Sequence, residues 1–460
     1  MKDELLRFAD KVEELFRVIS KGNAVLDIDQ SEINRLLAEH FSFSKPQSVS
    51  EITENINNML SQWTLPTNHP RHFGLYQPSL KTAGVIADAL AAVYNPQLGA
   101  WWFSPAANEM EKHCLAFISR KFGFDPGEVF SCFTSGGSES TASAVLCALI
   151  KRFPNYGQEG LVRFVRQPRI YVSKEAHDSI VKIAHQTGLG RNAVSRIPAD
   201  SNHCLDMNSL IRQMAEDSKS IDEPFLVVAT AGTTATGAID PLSELAEFCK
   251  SENLWLHVDA AWGGGFVFSQ KTNNYLKGID SVDSITWDPH KSLPIPTGAG
   301  YFLCKHKDTV KKTFNINTSY VPDEVEGQVD LYKAGLQWSR RFIGLKVFMT
   351  IAELGEQGMA SMINHQFAMG QYLLKRLREK GWTIVNNTPL PVVCFSHPDP
   401  DASTEEILKR ILQRKKCWIS QVSLQDGRKA LRACITSYKT GKHDIDILID
   451  ELSAVSEREK

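Results

Sequence analysis

Four short stretches place reactive groups where hydrophobic runs end. Residues 134–141 read TSGGSEST, two glycines between a strand-like run and a helix-like one. Glycines let a backbone approach an anion, and a helix start offers unpaired N–H groups and the positive end of a dipole. Ser138 is a candidate cap. The pattern is neither GxxxxGKS nor GxGxxG, which disfavours a nucleotide. Residues 257–262 read HVDAAW, with Asp259 closing an apolar run and small residues behind it. A half-buried carboxylate there needs a cation or hydrogen-bond donors. Residues 284–292 read SITWDPHKS: a short strand, a proline, then His290-Lys291, with a Thr297-Gly298-Ala299-Gly300 turn close behind. Most lysines are solvated charges, but a lysine in a strand-end crevice can act as an amine nucleophile. His177, in KEAHDS after the run RIYVS, is the fourth group.

Taken singly, each stretch has a plain structural reading: a turn, an N-cap or ion pair, a surface lysine, a structural histidine. Together, an anion-holding helix start, a carboxylate, an imidazole and a lysine at the ends of neighbouring strands suit pyridoxal 5'-phosphate (PLP). The helix start takes the phosphate, Asp259 pairs with the ring nitrogen, Lys291 forms the Schiff base and His177 stacks on the ring. The cofactor is an electron sink, and the protein selects the bond that breaks.

The surrounding pattern supplies the scaffold. Residues 1–62 read as helices, with Leu6, Val12, Leu15, Phe16 and Ile19 at helical spacing. Helical sequence returns over 80–122, broken at Asn95-Pro96. From EVFSCFT onward, short apolar strands (RIYVS, FLVVAT, LWLHVD, SITW, GAGYFLC) alternate with amphipathic helices. That alternation predicts an α/β fold with a mostly parallel sheet, helices on both faces and ligands beyond the carboxyl ends of the strands. Residues 315–336 are polar and aperiodic, a candidate mobile loop. Helical sequence resumes over 338–380, and strand and helix signals alternate to the end. Three units follow: an N-terminal helical segment 1–78, a large cofactor-binding domain 79–345 and a small α/β domain 346–460.

Composition excludes several alternatives. The chain has 460 residues, 42% of them hydrophobic and 23% charged, with a formal net charge of −2. That balance gives no basis for nucleic acid or an anionic membrane as a partner. No window is apolar enough for a membrane span. The N-terminus MKDELLRFADKVEELF lacks the apolar core of a signal peptide. The 9 cysteines are odd in number, without CxxC or metal-site spacing. They point to free thiols, a cytoplasmic location and no metal.

The motifs TSGGSES, AHDS, ATAGTTATGAID, LWLHVDAAWGG and SITWDPHKS, in this order and spacing, resemble the PLP-dependent group II amino-acid decarboxylases, which include the aromatic L-amino acid and glutamate decarboxylases. The resemblance runs from about residue 69 to 436. It implies the fold-type I, aspartate aminotransferase-like architecture, with a seven-stranded central sheet, and a homodimer with active sites at the interface. It makes Lys291 the Schiff-base lysine and Asp259 the partner of the ring nitrogen. Ala261 and His177 lie on the two ring faces. Gly137 and Ser138 bind phosphate, and His290 contacts phosphate or substrate. Thr234 sits near the cofactor's 3-oxygen or Asp259. Tyr320 falls 29 residues after Lys291, where the aromatic enzymes carry a loop tyrosine that protonates Cα once CO₂ has left.

The sequence also departs from the family. Asp288 stands where the family's Asn-Pro-His-Lys begins with asparagine. The stretches implied to form the substrate pocket differ as well, with Leu75 and Tyr76 in GLYQPS and Trp101, Trp102 and Phe103 in AWWFSP. Those aromatics either stack on an aromatic substrate or leave room only for a small one. The expected reaction is decarboxylation of an L-amino acid to its amine, with aromatic amino acids favoured. The alternatives are a C–C lyase, an oxidative aldehyde-forming decarboxylase, and a catalytically silent homologue serving as a binding subunit.

Overall fold

The computed structural model describes residues 2–316, 318, 325 and 327–456. Its centre is a seven-stranded sheet in the order β1-β7-β6-β5-β4-β2-β3. The strands are β1 (Phe130–Thr134), β2 (Gln167–Ser173), β3 (Val194–Ile197), β4 (Asp222–Thr230), β5 (Trp255–Asp259), β6 (Ser284–Trp287) and β7 (Gly300–Cys304). The apolar runs become strands because helices cover both faces, so neighbouring residues of opposite orientation are all buried. β6 and β7 are buried at every position.

Strands β2 to β6 pair in parallel, whereas β7 runs antiparallel to both β1 and β6. The cause is the connection. Residues 288–299 carry only the one-turn helix Pro289–Ser292, too little for a crossover, so the chain returns beside β6 in the opposite direction. β3 had no apolar signature in the sequence. It is an edge strand with one buried residue, Ile197, and Arg196 exposed.

A second, antiparallel sheet has the order β10-β11-β9-β8. Its strands are β8 (Thr383–Ile384), β9 (Val392–Ser396), β10 (Ser420–Ser423) and β11 (Lys429–Cys434). Helix Gly344–Glu379 links the two sheets and is interrupted at Gly355, whose φ of 61° is a conformation glycine tolerates. Helix Thr82–Tyr94 stops where the Asn-Pro signal placed its end. Asn95 adopts the left-handed conformation there, with φ of 45°. The N-terminal region forms helices Lys2–Lys21, Gln30–His40 and Val49–Trp63, and the last two bury no residue. Among the described residues, no helix is long and apolar enough to cross a membrane.

Candidate active site

The carboxyl ends of β1, β4, β5 and β6 surround a cavity of about 360 Å³. Gly137, Ser138, His177, Thr234, Asp259, Ala261, His290, Lys291 and Tyr76 all line it. Residues scattered over more than 200 positions of sequence therefore meet at one place.

The anion seat comes from the turn after β1. Helix Gly137–Arg152 begins there. Its first recorded backbone bonds run from Glu139 and Ser140 N–H to Gly136 O, at 3.0 and 3.2 Å. The N–H groups of Gly137 and Ser138 make no hydrogen bond among the described residues, so both are free to hold an anion. Glycine is required at 137 because a Cβ would lie 2.9 Å from Asp288 Oδ2. Glu139 ties the turn down by accepting from Ser135 N–H at 2.8 Å, Ser135 Oγ at 2.6 Å and Gln337 Nε2 at 2.6 Å.

Lys291 rides on the one-turn helix after β6. That turn carries it back over Asp288, and its Nζ lies 2.9 Å from Asp288 Oδ2. The lysine side chain is 31% exposed, and that exposure opens into the cavity it lines. Burial pulls the Lys291 pKa down, but the carboxylates of Asp288 and Asp259 outweigh it and hold the ammonium above its ordinary value. Asp288 is buried, and among the described residues its Oδ1 has no partner.

Asp259 ends β5 and accepts a hydrogen bond from Ala261 N–H at 3.0 Å. Both histidines of the cavity are held through Nδ1 by backbone groups. Ser179 N–H donates to His177 Nδ1 at 3.1 Å, so in the neutral ring the proton is on Nε2. His290 Nδ1 lies 2.7 Å from Ala299 O. Ala299 N–H also points at this nitrogen, at 3.3 Å, so the carbonyl asks for a proton on Nδ1 and the N–H for a lone pair there. Burial, the largest influence on His290, lowers its pKa against the pull of Asp288 and the Ala299 carbonyl.

The remaining wall is built by a clamp. Tyr76 Oη donates to Thr234 O at 3.0 Å. Arg432 Nη2 donates to Gly74 O at 2.8 Å, its Nη1 donates to Thr234 O, and its guanidinium lies 5.5 Å from the Tyr76 ring centre. Arg432 comes from the second sheet, so no local pattern announced it.

Four of the expected pocket residues do not line this cavity. Trp101 sits on a 3₁₀ turn with its Nε1 donating to Glu109 at 2.8 Å. Leu75, Trp102 and Phe103 are exposed by 40%, 60% and 45%. Tyr320 lies outside the described residues. Conversely, Asp288, Glu139, Thr230 and Trp262 line the cavity without having been singled out as site residues. Asp288 had a visible signal, its place three residues before Lys291.

The donor set fits PLP. Free N–H groups match a phosphate, Asp259 a ring nitrogen and the Lys291 amine an aldehyde. The buried, unpartnered Asp288 Oδ1 and Thr230 Oγ1 mark a polar site built for a ligand.

Comparison with known proteins agrees. Residues 32–397 match the pyridoxal-dependent decarboxylase conserved domain. An aromatic-L-amino-acid decarboxylase of Bacillus atrophaeus is 28% identical over 444 residues, covering 94% of this chain and 89% of its own length. Cysteine sulfinic acid decarboxylase of Homo sapiens is 31% identical over 359 residues, covering 76% of this chain and 72% of its own length. The crystal structure of mouse CSAD aligns with a TM-score of 0.92 at 26% identity, covering 99% of this chain and 98% of that one. The chain therefore belongs to the pyridoxal-dependent decarboxylase family, as an amino-acid carboxy-lyase whose cofactor is PLP.

Proposed function

We propose that this enzyme converts an L-amino acid to the corresponding amine and CO₂, with Lys291 as the covalent anchor of PLP. The observation that carries this reading is the convergence of Lys291, Asp259, His177 and the free helix start on one cavity.

When bound, PLP accepts the electron pair left behind as the Cα–carboxylate bond breaks. The chain supplies the rest. Gly137 and Ser138 N–H groups hold the phosphate. The Asp259 carboxylate keeps the ring nitrogen protonated. Lys291 Nζ would hold the cofactor covalently as a neutral amine, with the Asp288 carboxylate beside it able to take its proton. His177 Nε2–H would donate toward the substrate, and the proton for Cα would come from Tyr320, by its place in the sequence, or from His177 as an imidazolium. His290 would contact the phosphate or substrate through Nε2. Thr234 holds the cofactor's 3-oxygen. Ala261 and the His177 ring cover the two faces of the cofactor and keep water from the departing carboxylate.

Two chains pair in this reading. Ile86, Leu90, Val93, Tyr94, Trp102 and Phe103 leave apolar side chains exposed on neighbouring stretches of sequence, and a second copy would cover them. Light scattering in solution tests the pairing. A reducing compartment fits the 9 free thiols, of which only Cys204 is not buried.

The test of function is mass spectrometry of products from a pool of L-amino acids, in air, with PLP-loaded protein. The expected product is an amine equal to one amino acid minus CO₂. An aldehyde with oxygen uptake would replace this reading with the oxidative one. A cleaved carbon skeleton would favour a lyase. Protein that takes up no cofactor would be a silent homologue.

A further inference from the structure

Asp259 has a threonine on each side. Thr230 of β4 and Thr286 of β6 are in register with it. Registered residues on parallel strands face the same way, so the three side chains stand abreast on the cavity side of the sheet.

The two flanks differ. Thr286 belongs to a completed chain of hydrogen bonds. Trp255 Nε1 donates to Ser284 Oγ at 2.8 Å, and Ser284 Oγ lies 2.9 Å from His257 Nδ1. His257 Nε2 is 3.2 Å from Thr286 Oγ1, which is 3.2 Å from Thr141 Oγ1. Thr230 has no such partner. It is only 4% exposed, its Oγ1 makes no hydrogen bond, and it lines the cavity. Its position is nonetheless fixed. Thr230 N–H donates to Asp240 Oδ2 at 2.7 Å, and Asp240 N–H donates back to Thr230 O at 2.9 Å.

A buried hydroxyl without a partner is costly and calls for an explanation. Asp259 supplies one. Its only recorded donor is Ala261 N–H, on Oδ1, which leaves Oδ2 without a hydrogen bond among the described residues.

We propose that Thr230 is a positioning residue for the cofactor, its hydroxyl turning to donate to the Asp259 carboxylate when the ring nitrogen is bound. With Ala261 N–H on one oxygen and Thr230 O–H on the other, the carboxylate would be held in one orientation toward the ring nitrogen. Thr286 cannot substitute, because its hydroxyl is already engaged. This inference rests on the assignment of Asp259 to the ring nitrogen.

The test compares wild type, Thr230→Val and Thr230→Ser by titrating the unloaded proteins with PLP, without substrate. The visible spectrum and dissociation constant are read, and melting temperatures are recorded alongside. Thr230→Val should bind PLP about three- to tenfold more weakly and alter the ratio of the bound cofactor's absorption bands. Thr230→Ser, which restores the hydroxyl but not the methyl, should recover both. Wild-type affinity and spectrum in Thr230→Val would overturn the proposal. So would a defect that Thr230→Ser shares, since packing would then be the cause. Absence of a cofactor band in the wild type would overturn the site assignment along with it. An unaltered Thr230→Val beside a wild type that binds PLP would overturn this inference alone.

Discussion

Lys291 Nζ and Asp288 Oδ2 are 2.9 Å apart on a single turn of chain, so the lysine that must act as an amine is held as an ammonium by the residue three places before it. Asp288→Asn removes the larger of the two charges that raise the Lys291 pKa, leaving Asp259. It also removes a carboxylate from beside the anion-holding helix start. Both changes favour loading. PLP should attach to unloaded Asp288→Asn protein faster than to wild type at neutral pH, by about three- to tenfold. Stopped-flow absorbance measures the rate.

Asp259→Ala leaves the ring nitrogen without its counter-charge. PLP affinity and turnover should fall together, turnover by about a hundredfold or more. Titration of the cofactor and amine release at saturating PLP separate the two. Unchanged values would remove Asp259 from the site.

His177 should divide along the same line in a different way. His177→Phe retains a ring to cover the cofactor but loses the Nε2–H donor. Its PLP affinity should stay within about threefold of wild type, while turnover falls by about 10²–10⁴. Equal losses in both would make stacking the dominant role.

Stability should depend on pH through histidines away from the reacting atoms. Burial, aided by the Arg71 cation, lowers the His69 pKa to about 4. Burial likewise lowers His72, and His257 against the pull of Asp259, each to about 4. Each folded value lies below the unfolded one of about 6.5. The unfolded chain therefore binds more protons as pH falls from 6.5 toward 4, and stability drops through that window. Asp240 acts in the opposite sense, since burial raises its pKa to about 6, and burial raises Glu111 and Glu175 likewise, so these carboxyls offset part of the loss. Between pH 7 and 5 the unloaded protein should lose on the order of 2–4 kcal/mol, measured by urea unfolding at each pH. A flat profile would mean that these imidazoles are hydrated.

The legible parts of the molecule were those written in local pattern. Apolar runs ending in Thr134, Asp259 and Trp287 gave β1, β5 and β6, and the residues just beyond those ends gave most of the cavity. β3 escaped because a half-exposed edge strand needs no apolar run. The reversal of β7 depended on what a 12-residue link can span, and the clamp by Arg432 on a contact 358 residues distant from Gly74. Leu75, Trp102 and Phe103 are exposed in the single chain, where an expected second copy would meet them. Thr230 was invisible for another reason: a threonine at a strand end is unremarkable until its register with Asp259 is known.

The most direct test of the central claim is to load the protein with PLP, reduce it with borohydride and map the modified peptide by mass spectrometry. Reduction fixes the cofactor to whichever lysine bears it. The predicted result is one phosphopyridoxyl group per chain on Lys291, absent from Lys291→Ala. A modification on a different lysine, or none on a protein that binds PLP, would contradict the assignment of this cavity as the active site.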